Sequence, residues 1–176
     1  MAGETGRLTM RRGWLICLLP ALLAAGPPAP NPVRDLAGRY SAHFENGLVD
    51  GSSYWSDDVA EIVPVDRRHA YLNFSLAFYN GHSCSLSGIA AAEGNALVYR
   101  APADDAIPGE PPCRLLVRRM GDTLGWEDDG TCKMHCGARG SFLNGSLPWR
   151  SKRAITYMPR LKASAGYRGA MSEWQR

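Results

Sequence analysis

The sequence predicts an all-β protein, a meander of seven or eight antiparallel strands curled into a closed or nearly closed small barrel, with a C-terminal helix. Three observations carry this. Short runs alternate apolar with polar residues, the period of a half-buried strand. Turn pairs such as Asn46-Gly47, Asn80-Gly81, Gly94-Asn95 and Gly121-Asp122 separate those runs at short intervals. No amphipathic helical stretch interrupts them. Closing such a meander removes exposed strand edges; a two-sheet sandwich is the other arrangement the pattern allows. The length of 176 residues, 45% of them hydrophobic and 21% charged, suits one domain with a real core.

The first residues read differently. Arg7, Arg11 and Arg12 precede Trp14 to Ala25, an apolar run of twelve residues. That run is too short to span a bilayer and has the order of a secretory signal, with Ala24, Ala25 and Gly26 as the cleavage zone. Residues 1–26 are therefore expected to be a signal peptide, with Met10 as an alternative start. The protein is expected to be exported, periplasmic or secreted, and not membrane-spanning. The bias towards Arg, Ala, Gly and Pro suggests a bacterial source. Residues 27–37 form a Pro-rich leader.

In the domain expected over 38–149, Gly38 to Phe44 reads as the first strand and Asn46-Gly47 as its turn. Tyr54 to Val65 is the second strand, with Pro64 near its end. Asp66-Arg67-Arg68 turns the chain into Ala70 to Tyr79, where Leu72, Phe74, Leu76 and Phe78 share one face. Strands follow over Ser83 to Ala92, Ala96 to Arg100, Cys113 to Met120 and Thr123 to Trp126, with a long Pro-rich and acidic loop from Ala101 to Pro112. In the tail, 150–176, Ser164 can cap a helix to about Gln175. Tyr167, Ala170, Met171 and Trp174 recur there at helical spacing, as expected for packing over a barrel end or edge.

Charge is divided along the chain. Residues 27–149 hold ten basic and fifteen acidic side chains, a net −5, whereas 150–176 hold seven basic residues and one acid, a net +6. An acidic body argues against nucleic acid as the partner, while the basic tail could serve as an arm for an anionic surface.

With Cys17 removed in the signal, Cys84, Cys113, Cys132 and Cys136 remain, an even number in an oxidising compartment, so disulfides are expected. Meander geometry places all four at one rim. Of three possible pairings, Cys84–Cys113 with Cys132–Cys136 is favoured, the second closing a tight ring.

The densest stretch is Thr131 to Ser141, T-C-K-M-H-C-G-A-R-G-S. Cys132, His135 and Cys136, with His82 or Cys84, could assemble a zinc site, but C-x3-C is not the C-x2-C spacing of ribbon sites. Nor is it the helix-opening C-x-x-C of redox dithiols. The glycines suggest a tight loop presenting Arg139, either to a partner or to Asp128 or Asp129. The acid pairs Asp57-Asp58, Asp104-Asp105 and Asp128-Asp129 do not converge as catalytic carboxylates would. No G-x-S-x-G elbow appears, and His43 and His69 read as strand-end residues. A non-catalytic protein without cofactor or metal is expected. Asn73-Phe-Ser75 and Asn144-Gly-Ser146 match a glycosylation pattern that is fortuitous in a bacterial protein.

The segments Cys84-Ser-Leu-Ser-Gly-Ile-Ala, Leu97-Val-Tyr99, Cys113-Arg-Leu-Leu-Val and Cys132-x3-Cys136-Gly-Ala-Arg-Gly resemble those of small exported bacterial proteins without an assigned function. Some of these are similar to modules of the periplasmic lysozyme-inhibitor type. The resemblance implies a disulfide-stapled barrel whose rim loops plug a cationic glycosidase, to which the acidic body would be attracted. On this reading His82, Trp126, His135 and Arg139 form the binding rim. The alternative is a lipocalin-like carrier holding a small apolar ligand inside the barrel among Leu72, Phe74, Leu76, Leu97 and Tyr99.

Overall fold

The computed structural model describes residues 1, 3, 30–103, 106 and 108–176. The signal-peptide reading, Cys17 and the Asp104-Asp105 pair lie outside the described residues. Eight strands follow one another in space as in sequence: β1 (Gly38–Gly47), β2 (Ser53–Pro64), β3 (His69–Ala77), β4 (Ser83–Glu93), β5 (Ala96–Arg100), β6 (Arg114–Met120), β7 (Thr123–Asp128) and β8 (Asn144–Pro148). Every neighbouring pair is antiparallel. The expected meander is thus observed as a nearly closed barrel. β1 and β8 share no ladder; instead Arg39 bridges Arg153 just beyond β8, and the Ser41 N–H donates to Ser151 Oγ at 3.1 Å. The eighth strand has no counterpart in the sequence reading, because Asn144-Gly145-Ser146 looks like a turn.

Alternation fills the interior. Tyr40, Ile62, Leu72, Phe74, Leu97 and Leu115 are completely buried in one cluster. Phe74 meets Trp126 edge-on at 5.1 Å and Phe142 edge-on at 5.9 Å, an arrangement aromatic rings prefer. The space that the carrier alternative assigns to a ligand is lined by these packed side chains, and Phe142, reaching in from the β7–β8 loop, is buried against Phe74. The leader belongs to this core as well: α1 (Pro32–Asp35), capped by Asn31, buries Val33 and Leu36 beneath the other end, and the Tyr40 hydroxyl donates to Leu36 O at 3.0 Å.

The β1–β2 turn is displaced from Asn46-Gly47. The strands stay paired to Gly47 and Ser53, and the chain reverses over 48–52. Asn46 is instead buried, its amide donating to Phe78 O at 3.1 Å and Ser56 Oγ at 3.3 Å. Where β2 and β3 splay apart, Asp58 turns inward and accepts the Ala77 N–H at 2.7 Å. Burial raises the Asp58 carboxyl above its ordinary pKa; the Ala77 bond opposes that and the Asp57 charge adds to it. Asp57 faces outward on His43 at 2.9 Å, so the two adjacent acids do point to opposite faces.

The tail packs against the barrel wall, not over an end. α2 (Met158–Lys162) and α3 (Ala165–Trp174) set Leu161 and Ala170 against Val63 and Tyr71 on the outer face of β2 and β3. Ser164 caps α3 as the sequence suggests, accepting the Tyr167 N–H at 3.2 Å. Beneath the tail, Glu61 is 6% exposed and accepts from Asn73 Nδ2 at 2.8 Å and from the Tyr157 hydroxyl. A buried carboxylate needs such partners, and they hold Asn73 within this network rather than free for glycosylation. Among the described residues, no helix is long and apolar enough to cross a membrane.

Candidate functional site

The two barrel ends differ. At one, 65–68, 94–95 and 121–122 are short turns; at the other, 48–52, 78–82, 101–113 and 129–143 are longer loops. Loops carried on a rigid scaffold are the usual place for binding residues. All four cysteines lie at this loop-bearing rim, as expected, but their pairing is Cys84–Cys136 and Cys113–Cys132. The favoured Cys84–Cys113 and Cys132–Cys136 pairing is therefore wrong. A five-residue 3-10 helix, Thr131–His135, intervenes and separates the directions in which Cys132 and Cys136 project. Cys132 is carried towards the start of β6, and Cys136 bridges Cys84 at the start of β4. With every one of these sulfurs bonded to another, the C-x3-C pair offers no thiolate to a metal.

Backbone and side-chain bonds brace the same loop. Asp128 Oδ1 accepts from the Gly130 N–H at 2.9 Å and the Cys132 N–H at 3.2 Å, and Asp129 accepts from Thr131 Oγ1 at 2.8 Å. Asp128 thereby caps the 3-10 helix, while Asp129 stays exposed beside it. The Gly137 N–H reaches Ser83 O at 2.8 Å, and the Gly140 N–H reaches Gly137 O at 3.0 Å, closing a turn with Ala138 and Arg139 at its apex. Lys133 Nζ clamps that turn through Ala138 O at 3.2 Å and Gly140 O at 2.8 Å. Gly140 is required for close approach: a Cβ there would sit 2.7 Å from Cys84 Sγ and 3.1 Å from Ser83 O.

Arg139 is exposed and forms no ion pair among the described residues; of the alternative partners, Asp128 accepts from Gly130 and Cys132, and Asp129 from Thr131. Beside it, Lys133, Ser141, Phe142 and Leu143 line a groove of about 420 Å³, with Leu143 half exposed. His82 belongs to the same rim, its Nδ1 3.4 Å from where a Gly137 Cβ would lie. His135 is half-buried, its ring centroid 6.3 Å from that of Tyr99, and faces the barrel side of the loop.

Trp126 does not join them. It points into the barrel, is 4% exposed, and lies across β8, where a Cβ at Gly145 would come within 2.3 Å of the indole. Its assignment as a rim contact is corrected to a core residue, since its place on β7 gives it an inward position. Phe142 and Lys133, which anchor the loop, were missed. The one signal for Phe142 was an aromatic residue isolated in a polar loop.

The rim presents an exposed guanidinium on a braced backbone turn, beside a groove lined in part by Phe142 and Leu143. No cluster of three or more potential metal ligands occurs among the described residues. The architecture is that of a nearly closed antiparallel β-barrel with two disulfides at one rim. No protein-family model, curated protein or solved structure matches the chain.

Proposed function

We propose that this is an exported, non-catalytic binding protein whose disulfide-braced rim blocks a cationic cell-wall glycosidase. The observation that carries the reading is the Arg139 turn. An exposed guanidinium that forms no ion pair among the described residues is held at the apex of a loop already fixed by two disulfides, Lys133 and Phe142. Little entropy remains to be lost when such a loop docks. Most glycoside hydrolases carry a pair of carboxyl groups in the cleft, and a guanidinium makes bidentate bonds to such groups. Residues 27–149 carry a net −5, but the tail packed on their wall carries +6, so the reading rests on the Arg139 turn and not on net charge.

Titration calorimetry with a cationic muralytic glycosidase tests this. The exported protein is expected to bind saturably and to inhibit lysis. Arg139→Ala is expected to weaken binding at least about tenfold, ~1.4 kcal/mol, without moving the denaturation midpoint. Unchanged affinity in the variant, or no binding by the unaltered protein, would overturn the assignment.

A further inference from the structure

The end opposite the rim has a charge character of its own. Trp149, directly after β8, is half-buried between two cations: the Arg119 guanidinium lies 4.4 Å and Lys152 Nζ 4.8 Å from its ring centroid. Arg150 and Arg153 flank them and are exposed. None of these four forms an ion pair among the described residues. Arg119 donates to Gly121 O, Lys152 to Asp35 O, and Arg153 to Arg150 O and Lys152 O, all backbone carbonyls. The bordering acids are Asp122 and Asp35, the latter 3.8 Å from Arg34 Nε. Partial burial, opposed by Asp35 and reinforced by the Arg119 charge, holds the Lys152 ammonium below the ordinary lysine range. Like charges gathered about one indole, with no ion pair among the described residues to neutralise them, form a platform for an external anion.

The course of the chain says which anion. The described chain enters the barrel at Pro30, which with Arg119 and Trp149 lines a groove at this same end. Only residues 26–29 separate it from the apolar run Trp14 to Ala25. On the signal-peptide reading, this end and not the rim is the one tethered near the bilayer during export. A half-buried Trp beside basic side chains is also the composition that settles at a membrane interface.

We propose that the Arg119–Trp149–Lys152 platform, with Arg150 and Arg153, docks the protein on an anionic phospholipid surface, directing the disulfide rim away from it. This does not depend on the identity of the rim's partner. The tail helices carry their own basic residues, Arg160, Lys162 and Arg168, on elements packed against the outer face of β2 and β3, which supplies a charge-matched comparison.

Sedimentation of the exported protein with vesicles of phosphatidylglycerol and phosphatidylcholine tests the proposal. Binding is expected to the mixed vesicles and not to pure phosphatidylcholine, and to fall as salt rises. Each basic residue near an anionic surface contributes roughly fivefold. The triple variant Arg119→Gln, Arg150→Gln, Arg153→Gln should therefore bind about a hundredfold more weakly. Arg160→Gln with Lys162→Gln and Arg168→Gln changes the net charge equally and should retain most of the binding. No binding to anionic vesicles, or equal loss in the two triple variants at unchanged thermal midpoints, overturns the platform. Retention of free polyphosphate without vesicle binding overturns the membrane assignment. Because Arg119 packs on Trp149, Arg150→Gln with Arg153→Gln is the second variant, expected to lose about 25-fold; an unaltered affinity there also overturns the proposal.

Discussion

Replacing Cys84 and Cys136 together by alanine is expected to lower the unfolding free energy by about 4 kcal/mol. The bridge spans 52 residues, and closing a loop of that length removes much of the freedom of the unfolded chain. The Cys113–Cys132 bridge spans 19, for which the same reasoning gives about 3 kcal/mol. The shorter loop is nested within the longer, so the two losses should not add. Alanine is preferred to serine because Cys84 is 1% exposed and a hydroxyl there would lack a partner. The Cys84–Cys136 variant should also free the Arg139 turn, whose Gly137 bonds Ser83 next to the lost bridge. Urea denaturation of the variant and the parent checks the magnitude. A loss below about 1 kcal/mol would mean that the loop is held without the bridge.

Phe74→Ala is expected to cost about 3–5 kcal/mol. Phe74 is fully buried and is the ring on which both Trp126 and Phe142 stand edge-on. Removing it leaves a cavity that the paired strands around it can only partly close, since their backbone is fixed by ladders on both sides. The effect should reach the rim, because Phe142 of the β7–β8 loop is buried against Phe74. Denaturant midpoints give the stability change, and amide exchange over 129–143 should accelerate in the variant beyond the rest of the barrel. A change under about 1.5 kcal/mol, the size of a tolerated core swap, would contradict the packed-interior description.

Strand alternation made most of the barrel legible. Leu72, Phe74 and Leu76 face inward as their period requires, and the turns at Asp66–Arg68, Asn80-Gly81, Gly94-Asn95 and Gly121-Asp122 lie between the strands anticipated. Asn46-Gly47 misled because turn propensity is local, whereas Asn46 is held by Phe78 and Ser56 from other strands. β8 was hidden because its polar, glycine-containing sequence pairs with β7 only by virtue of the completed barrel. Position along the meander gathered the four cysteines at one rim, but their pairing depended on the 3-10 turn between Cys132 and Cys136, which sequence spacing does not specify. Trp126 was placed on the rim by its chemistry, although its neighbour on β7, Leu124, already shares its inward period. The basic excess of 150–176 was legible, but the grouping of Arg150, Lys152 and Arg153 with Arg119 of β6 about Trp149 was not, because β6 and the segment after β8 are far apart in sequence and adjacent only in the fold.

Every functional statement about the rim rests on the two bridges that shape it. Peptide mass mapping of the exported protein under non-reducing conditions, with alkylation before digestion, reads them directly. Cross-linked peptides joining Cys84 to Cys136 and Cys113 to Cys132, with none of these four cysteines alkylated until reduction, are the expected result. Peptides joining Cys84 to Cys113 and Cys132 to Cys136, or free thiols among the four, would contradict it and dissolve the ordered Arg139 loop.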